Sequence, residues 1–328
     1  MSLKETLQQQ TAPLVLDGAF GTMVQGYGLS EEDFRGYRYR HISGMLLGNN
    51  EILNLTRPDV VKDIYTSYIL AGADIITANT FSANAISQAD YHCEHLVEDM
   101  NREAVRLARE AFADSGRQGF VIATVGPTNK SLSISPDIND PACRSITFDQ
   151  LAEAYIEQIS VLVDEGVDAI MLETIFDTLN AKAGIYAVQE VAQRRKVEIP
   201  LMLSATVNDA NGRLLSGQTL EAFLISVAHS GMLSVGLNCS FGADDMLPIL
   251  CNMKHILERM GLRDDTGRCY VSCHPNAGLP NSMGQYDVTP ESFARSILPM
   301  IKEGLVDIVG GCCGTTPEHI KAIAELCK

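Results

Sequence analysis

Two adjacent cysteines, Cys312 and Cys313, lie in the glycine-rich stretch 310–316, which reads GGCCGTT. Cysteine thiolates are good zinc ligands, and a catalytic zinc site takes three protein ligands and leaves one coordination position open. The adjacent thiols therefore supply two of the three ligands if a third group reaches them from elsewhere in the chain. The competing interpretation is a redox-active pair of thiols.

The predicted helices and strands around these thiols follow a recurring pattern, in which a helical segment ends at a glycine and a short apolar run follows. Gly72, Gly166 and Gly304 each precede such a run, and glycine readily ends a helix in the left-handed conformation. Short apolar runs are typical of strands buried on both faces of a parallel sheet. Eight strands are predicted, over residues 14–17, 74–79, 120–125, 169–173, 201–206, 233–238, 269–274 and 307–310.

Eight β/α units in a chain of 328 residues predict an α/β fold of the (β/α)8 TIM-barrel type, forming a single domain over residues 1–328. A doubly wound parallel sheet is the alternative. The connections 18–58 and 126–147 are longer than the fold requires. Long loops after barrel strands build the face on which active sites lie.

Polar residues gather at the predicted C-terminal ends of the strands, which all face one mouth of a barrel. Cys239 follows the sixth strand, two positions round the barrel from Cys312 and Cys313. We therefore predict a three-cysteine zinc site with one open position. Cys273 is the rival ligand, and the alternation of side chains along a strand assigns it to packing instead. The alternative for the three predicted ligands is a redox pair and a core cysteine.

Two carboxylates, Asp17 and Glu173, also lie at predicted strand ends. Buried carboxylates need partners, and the ammonium group of a ligand would serve. Backbone N–H groups of residues 18–22 can form a nest for a carboxylate. A ligand that suits an ammonium binder, an anion nest and a thiophilic metal is an amino acid that carries a thiol. The alternative is that Asp17 caps its own turn and that Glu173 bonds to neighbouring strands.

The composition argues against several classes of protein. The net charge of −16 opposes binding to nucleic acid, and no apolar run approaches the roughly 18 residues that cross a bilayer. The N-terminal segment lacks the basic and apolar regions of a secretory signal. Nine scattered cysteines, an odd number, argue against a disulfide framework. We predict a cytoplasmic protein that binds neither nucleic acid nor membranes.

Twelve motifs lie along the chain, many of them at strand ends: LDGAFGTM (16–23), DFRG (33–36), GNN (48–50), AGADII (71–76), NTF (79–81), GPTN (126–129), SISPD (133–137), ETIFDTLNAK (173–182), SGQT (216–219), GLNC (236–239), HPNAGLPN (274–281) and GGCCGTTP (310–317). They resemble those of the homocysteine S-methyltransferase family, whose barrel is the homocysteine-binding domain. The resemblance spans nearly the whole chain and is closest to the cobalamin-dependent methionine synthase branch, where this domain is the N-terminal module. SISPD and DTLNAK favour that branch, whereas Cys239 with Cys312 and Cys313 is common to the wider family.

The resemblance implies methyl transfer to the thiol of L-homocysteine, giving L-methionine. It implies that Cys239, Cys312 and Cys313 bind the catalytic Zn²⁺, with the homocysteine sulfur in the fourth position. The implied substrate-binding residues are Asp17 and Glu173 for the amino group, the backbone around Phe20, Gly21 and Thr22 for the carboxylate, and Asn276 in the open zinc position when no substrate is bound.

The implied methyl donor is methylcobalamin on a separate domain or chain, a cobalamin-binding domain or corrinoid protein. A folate-binding domain would then act in trans or on a longer chain. The main alternative is a stand-alone enzyme that uses betaine or S-methylmethionine. A third possibility is a non-catalytic barrel that binds zinc or senses thiols.

Overall fold

The computed structural model describes residues 1–263 and 269–328. Its strands are β1 (Leu14–Val15), β2 (Ile75–Ala78), β3 (Phe120–Val125), β4 (Ala169–Ile175), β5 (Leu201–Ala205), β6 (Ser234–Gly242), β7 (Tyr270–Asn276) and β8 (Ile308–Val309). They form one parallel sheet in the order β1-β8-β7-β6-β5-β4-β3-β2. A bridge between Leu16 and Ile75 joins its two outer strands. The predicted single-domain (β/α)8 barrel is confirmed.

Helices surround the barrel and fill the connections between its strands. Glycines 72, 166 and 304 have left-handed backbones at or just after the ends of helices, as predicted. The α-helices of the described residues are α1 (Leu3–Gln9), α2 (Phe20–Gly26), α3 (Glu31–Arg35), α4 (Leu53–Thr56), α5 (Pro58–Ala71), α6 (Ala85–Gln88), α7 (Val97–Ser115), α8 (Phe148–Asp164), α9 (Thr178–Arg195), α10 (Leu220–Val227), α11 (Ala243–Arg259), α12 (Pro290–Lys302) and α13 (Pro317–Leu326). Short 3-10 helices lie at Asn50–Ile52, Ala89–Tyr91, Glu94–Leu96 and Ala228–Ser230.

The strand boundaries differ from the prediction at the mouth of the barrel. β1 and β8 are shorter than predicted, whereas β4, β6 and β7 run two to four residues further. The register shifts after Leu172 in β4 and after Asn238 in β6. Such bulges re-aim side chains and are frequent beside active sites. Glu173 and Cys239 therefore lie within irregular strand segments and not at simple strand ends.

Helix α1, which the sequence pattern did not predict, closes the end of the barrel opposite the mouth. Its Leu3 and Leu7 are buried in the cluster that fills the barrel, together with Met171 and Met202. Ser2 and Glu5 form a reciprocal capping box that holds its first turn. The carboxyl ends of the strands are left as the open end.

The long connection 126–147 contains no helix or strand, but it is tied to the start of α9. The hydroxyls of Ser131 and Ser133 donate to the carboxylate of Asp177 at 2.6 and 2.7 Å. The backbone N–H of Leu132 donates to Oδ1 of Asn180 at 2.9 Å. The SISPD and DTLNAK motifs thus belong to one hydrogen-bonded unit beside the mouth.

Among the described residues, no helix has both the length and the apolar character needed to cross a bilayer. The cytoplasmic location and the lack of nucleic-acid binding stay predictions.

Candidate active site at the barrel mouth

Three cysteine sulfurs meet at the mouth. Sγ of Cys239, on β6, lies 3.8 Å from Sγ of Cys313. Sγ of Cys312 lies 4.0 Å from that of Cys313, and all three fall within 4.8 Å of one another. Zinc–sulfur bonds of about 2.3 Å in a tetrahedron place sulfurs about 3.8 Å apart. The spacing fits a zinc ion, so the structure brings together the three residues predicted as its ligands.

The backbone that presents these sulfurs is held in uncommon conformations. Cys239 and Ser240 have φ values of 60° and 57°, in the left-handed region that non-glycine residues seldom adopt. Gly314 follows the cysteine pair at φ 82°, and a Cβ there would lie 2.2 Å from the ring of Tyr286. Backbone strain of this kind persists where the surrounding structure fixes it, and it concentrates at functional sites.

Hydrogen bonds among the three thiols make the pKa of each depend on the other two. Hydrogen bonds from Cys312 and Cys313 lower the pKa of Cys239, and the side chain of Asn276 also hydrogen-bonds to that thiolate. Hydrogen bonding to Cys239 raises the pKa of Cys312 and of Cys313, and Tyr286 bonds to the latter. The protonation of each thiol thus depends on the other two, and a divalent cation bound by them would favour loss of their protons.

A second group of polar side chains lies buried beside the sulfurs. Asn276 ends β7 with 4% exposure, and its Oδ1 has no hydrogen-bond partner in the described part of the chain. The same holds for both ring nitrogens of His274, although Nε2 lies 3.4 Å from a carboxylate oxygen of Glu173. Buried polar atoms are rarely left unpaired, so these atoms are available to a water molecule or to a polar ligand.

Asp17 and Glu173 form a pair of carboxylates at the same mouth. Asp17 accepts hydrogen bonds from the backbone N–H and the hydroxyl of Thr77 at 2.8 and 3.0 Å, so it bonds across to β2. Burial raises the pKa of Asp17, and the charge of Glu173 raises it further. No lysine or arginine among the described residues pairs with either carboxylate. Two such groups favour binding of a cation.

The segment predicted as an anion-binding nest is the first turn of α2. Phe20, Gly21 and Thr22 begin this helix, and its N-cap, Ala19, makes no side-chain capping bond. The first N–H groups of a helix lack intrahelical acceptors and attract a carboxylate. Oγ1 of Thr22 accepts a 3.0 Å hydrogen bond from the N–H of Gly314. The first turn of α2 is therefore joined directly to the cysteine turn.

Tyr286 also contacts the cysteine cluster, and its sequence context did not predict this. Its hydroxyl bonds to Cys313, and burial, followed by the charge of that thiolate, raises its pKa to about 12. This residue lies in the loop after β7, where no periodic pattern fixes the direction of a side chain. Cys273, the rival ligand, is fully buried with its sulfur 3.7 Å from that of Met246, in keeping with a packing role.

Comparison with solved structures identifies a similar barrel in the homocysteine methyltransferase MmuM from Escherichia coli. Its oxidized form has a TM-score of 0.74 and 19% identity, and the match covers 98% of each chain. Its metallated form has a TM-score of 0.73 and 19% identity, covering 98% of this chain and 99% of that one. At this identity the likeness shows the shared fold. Residues 14–327 match the homocysteine S-methyltransferase family profile, and the chain belongs to that family.

Proposed function

We propose that this protein transfers a methyl group to the thiol of L-homocysteine, giving L-methionine, at a site where Cys239, Cys312 and Cys313 hold a zinc ion. The observation that carries the proposal is the meeting of three sulfurs and a pair of carboxylates at one barrel mouth. A thiophilic ion suits the thiol of homocysteine, and the carboxylates suit its ammonium group. MmuM has been obtained in a metallated form, which supports a metal in this family.

A zinc ion at the three cysteines would lower the pKa of the substrate thiol and fix the position of its sulfur. The residues of the chain bind and orient the rest of the molecule. Asp17 and Glu173 hold the ammonium group, and the first turn of α2 holds the carboxylate. In the transfer, the sulfur bonds to the methyl carbon as the bond from that carbon to the donor breaks, and the thiol proton passes to solvent.

Two classes of methyl donor fit this acceptor site. MmuM, an enzyme named as a homocysteine methyltransferase, is matched over 98% of its length, which favours a small donor such as betaine or S-methylmethionine used by the barrel alone. The SISPD and DTLNAK motifs, which are hydrogen-bonded to each other through Asp177, resemble those of the cobalamin-dependent branch, and this resemblance favours methylcobalamin carried on a separate domain or chain. A folate-binding domain belongs only to the second scheme.

A side-by-side donor assay tests the proposed function. The zinc-loaded protein is given homocysteine with betaine, S-methylmethionine or methylcobalamin, and methionine is measured by mass spectrometry. We expect methionine from at least one donor, and the donor that works assigns the class. A Cys312→Ser variant is the matched control and should form none. If homocysteine binds but no donor yields methionine, the protein is a thiol-binding barrel and the proposed reaction is wrong.

The raised pKa of Asp17 predicts a pH dependence of ligand binding. Below that pKa the carboxylate of Asp17 carries a proton, which a bound ammonium group must displace. The affinity for an amino-acid ligand should therefore rise as the pH rises through the raised pKa. L-Methionine is the suitable probe because its thioether does not titrate. Its Kd, measured by calorimetry, should fall with pH in the wild type. A flat profile up to the range where the ligand amine titrates would contradict this assignment of Asp17.

A further inference from the structure

The register shifts in β4 and β6 lie at the two halves of the proposed site. The shift in β4 includes Glu173 and Thr174, and Thr174 has a φ of 57°. The shift in β6 follows Asn238 and includes Cys239, at φ 60°. A β-branched residue with positive φ is a strong outlier, and it needs contacts that hold it there. One side chain, that of Asn238, supplies those contacts.

The amide of Asn238 spans from β6 to β4 across the intervening strand β5. Its Oδ1 accepts from the backbone N–H of Thr174 at 3.1 Å, and its Nδ2 donates to the hydroxyl of Thr174 at 2.9 Å. The hydroxyl of Ser204, on β5, donates to the same Oδ1 at 2.7 Å. Asn238 is 1% exposed, so these bonds are not exchanged with water.

Asn238 therefore links two residues that hold opposite ends of the proposed substrate. It directly precedes Cys239, a proposed metal ligand, and it clamps the residue directly after Glu173, a proposed ammonium binder. Buried networks of fully paired polar groups rigidify the structure around them. A substitution at Asn238 removes neither the sulfurs nor the carboxylate of Glu173. It removes the bonds that fix the distance between them.

We propose that Asn238 is a positioning residue that sets the distance between the thiol-binding and ammonium-binding halves of the site, and so selects homocysteine over the shorter amino acid cysteine. This inference rests on the proposed function. Cysteine has the same thiol, ammonium and carboxylate groups, but one methylene fewer separates the thiol from the other two. A site distinguishes the two molecules by a fixed distance between its thiol-binding and ammonium-binding groups. A difference of one methylene changes the specificity of a site by roughly 10–200-fold.

The test is calorimetric titration of zinc-loaded wild-type and Asn238→Ala proteins with L-homocysteine and L-cysteine. We expect the variant to bind homocysteine at least about 10-fold more weakly and to lose most of the preference over cysteine, with its zinc content unchanged. A purely structural role would lower both affinities together and leave their ratio intact. Thr174→Val, which removes one hydroxyl of the clamp, should change the ratio in the same direction and replaces Asn238→Ala if that variant does not fold.

Ser272→Ala is the matched control, because Ser272 lies on the neighbouring strand β7, is equally buried, and its hydroxyl has no hydrogen-bond partner among the described residues. The Ser272→Ala protein should have the wild-type affinities for L-homocysteine and L-cysteine. An unchanged homocysteine-to-cysteine ratio in Asn238→Ala, or a loss of zinc from it, overturns the inference. Failure of the wild-type protein to bind homocysteine overturns the proposed function instead, before any variant is compared.

Discussion

Cys239→Ser is expected to weaken zinc binding by more than about 100-fold and to abolish methylation of homocysteine. Removing a partner that only supports a metal ligand costs about 10–100-fold in metal affinity, and this substitution replaces a proposed ligand itself. Cys239 is half-buried at the mouth and lies outside the hydrophobic core, so the barrel should stay folded. Zinc content by mass spectrometry, competition with a chromophoric chelator and circular dichroism measure these effects.

Cys143→Ser is the matched control for that variant, since Cys143 has similar exposure but lies in the connection 126–147, away from the three sulfurs. It should bind zinc as the wild type does. A Cys239→Ser protein that keeps one tightly bound zinc per chain would show that the ion lies elsewhere. The three-thiol assignment would then be wrong.

Glu173→Gln is expected to weaken binding of homocysteine by about 10–100-fold while zinc content stays unchanged. A hydrogen bond to a charged group contributes about 1.5–3 kcal/mol, and the neutral amide keeps the shape of the side chain but loses its charge. Nε2 of His274 lies 3.4 Å from this carboxylate without a hydrogen bond to it, so the substitution breaks no hydrogen bond between these two residues. The Kd is measured by calorimetry on zinc-loaded protein.

The control ligand for this prediction is 4-mercaptobutanoate, which is homocysteine without its amino group. Wild-type and Glu173→Gln proteins should bind it with the same affinity, because the carboxylate of Glu173 has no ammonium group to contact. If the variant loses affinity for both ligands equally, Glu173 acts on the site as a whole and not on the ammonium group. The Asp17→Asn variant, tested with the same two ligands, shows whether the other carboxylate contacts the ammonium group.

Much of the fold follows from patterns that are local in the sequence. The glycines that end helices and the apolar runs after them mark the repeating unit, and the repetition of that unit specifies a barrel. Cys239, Asp17 and Glu173 were found because parallel strands of a barrel bring their carboxyl ends to one mouth. The convergence is a property of the topology, so it needed no knowledge of side-chain contacts.

The features that sequence reasoning missed depend on contacts between distant residues. The bulges in β4 and β6 are held by the amide of Asn238, and nothing in the local sequence of Thr174 specifies a left-handed backbone. The bond from Tyr286 to Cys313 depends on the path of a loop. Helix α1 is only seven residues long, and burial of Leu3 and Leu7 in the barrel end stabilises it more than its own propensity does.

X-ray absorption at the zinc edge, with and without homocysteine, tests whether the three cysteines hold a zinc ion that binds the substrate thiol. We expect three sulfur neighbours and one lighter atom around the zinc in the free protein. We expect four sulfur neighbours, with zinc–sulfur distances of about 2.3 Å, when homocysteine saturates the site. A sulfur count that stays at three while calorimetry shows homocysteine bound would contradict the claim that these cysteines hold a metal that binds the substrate thiol.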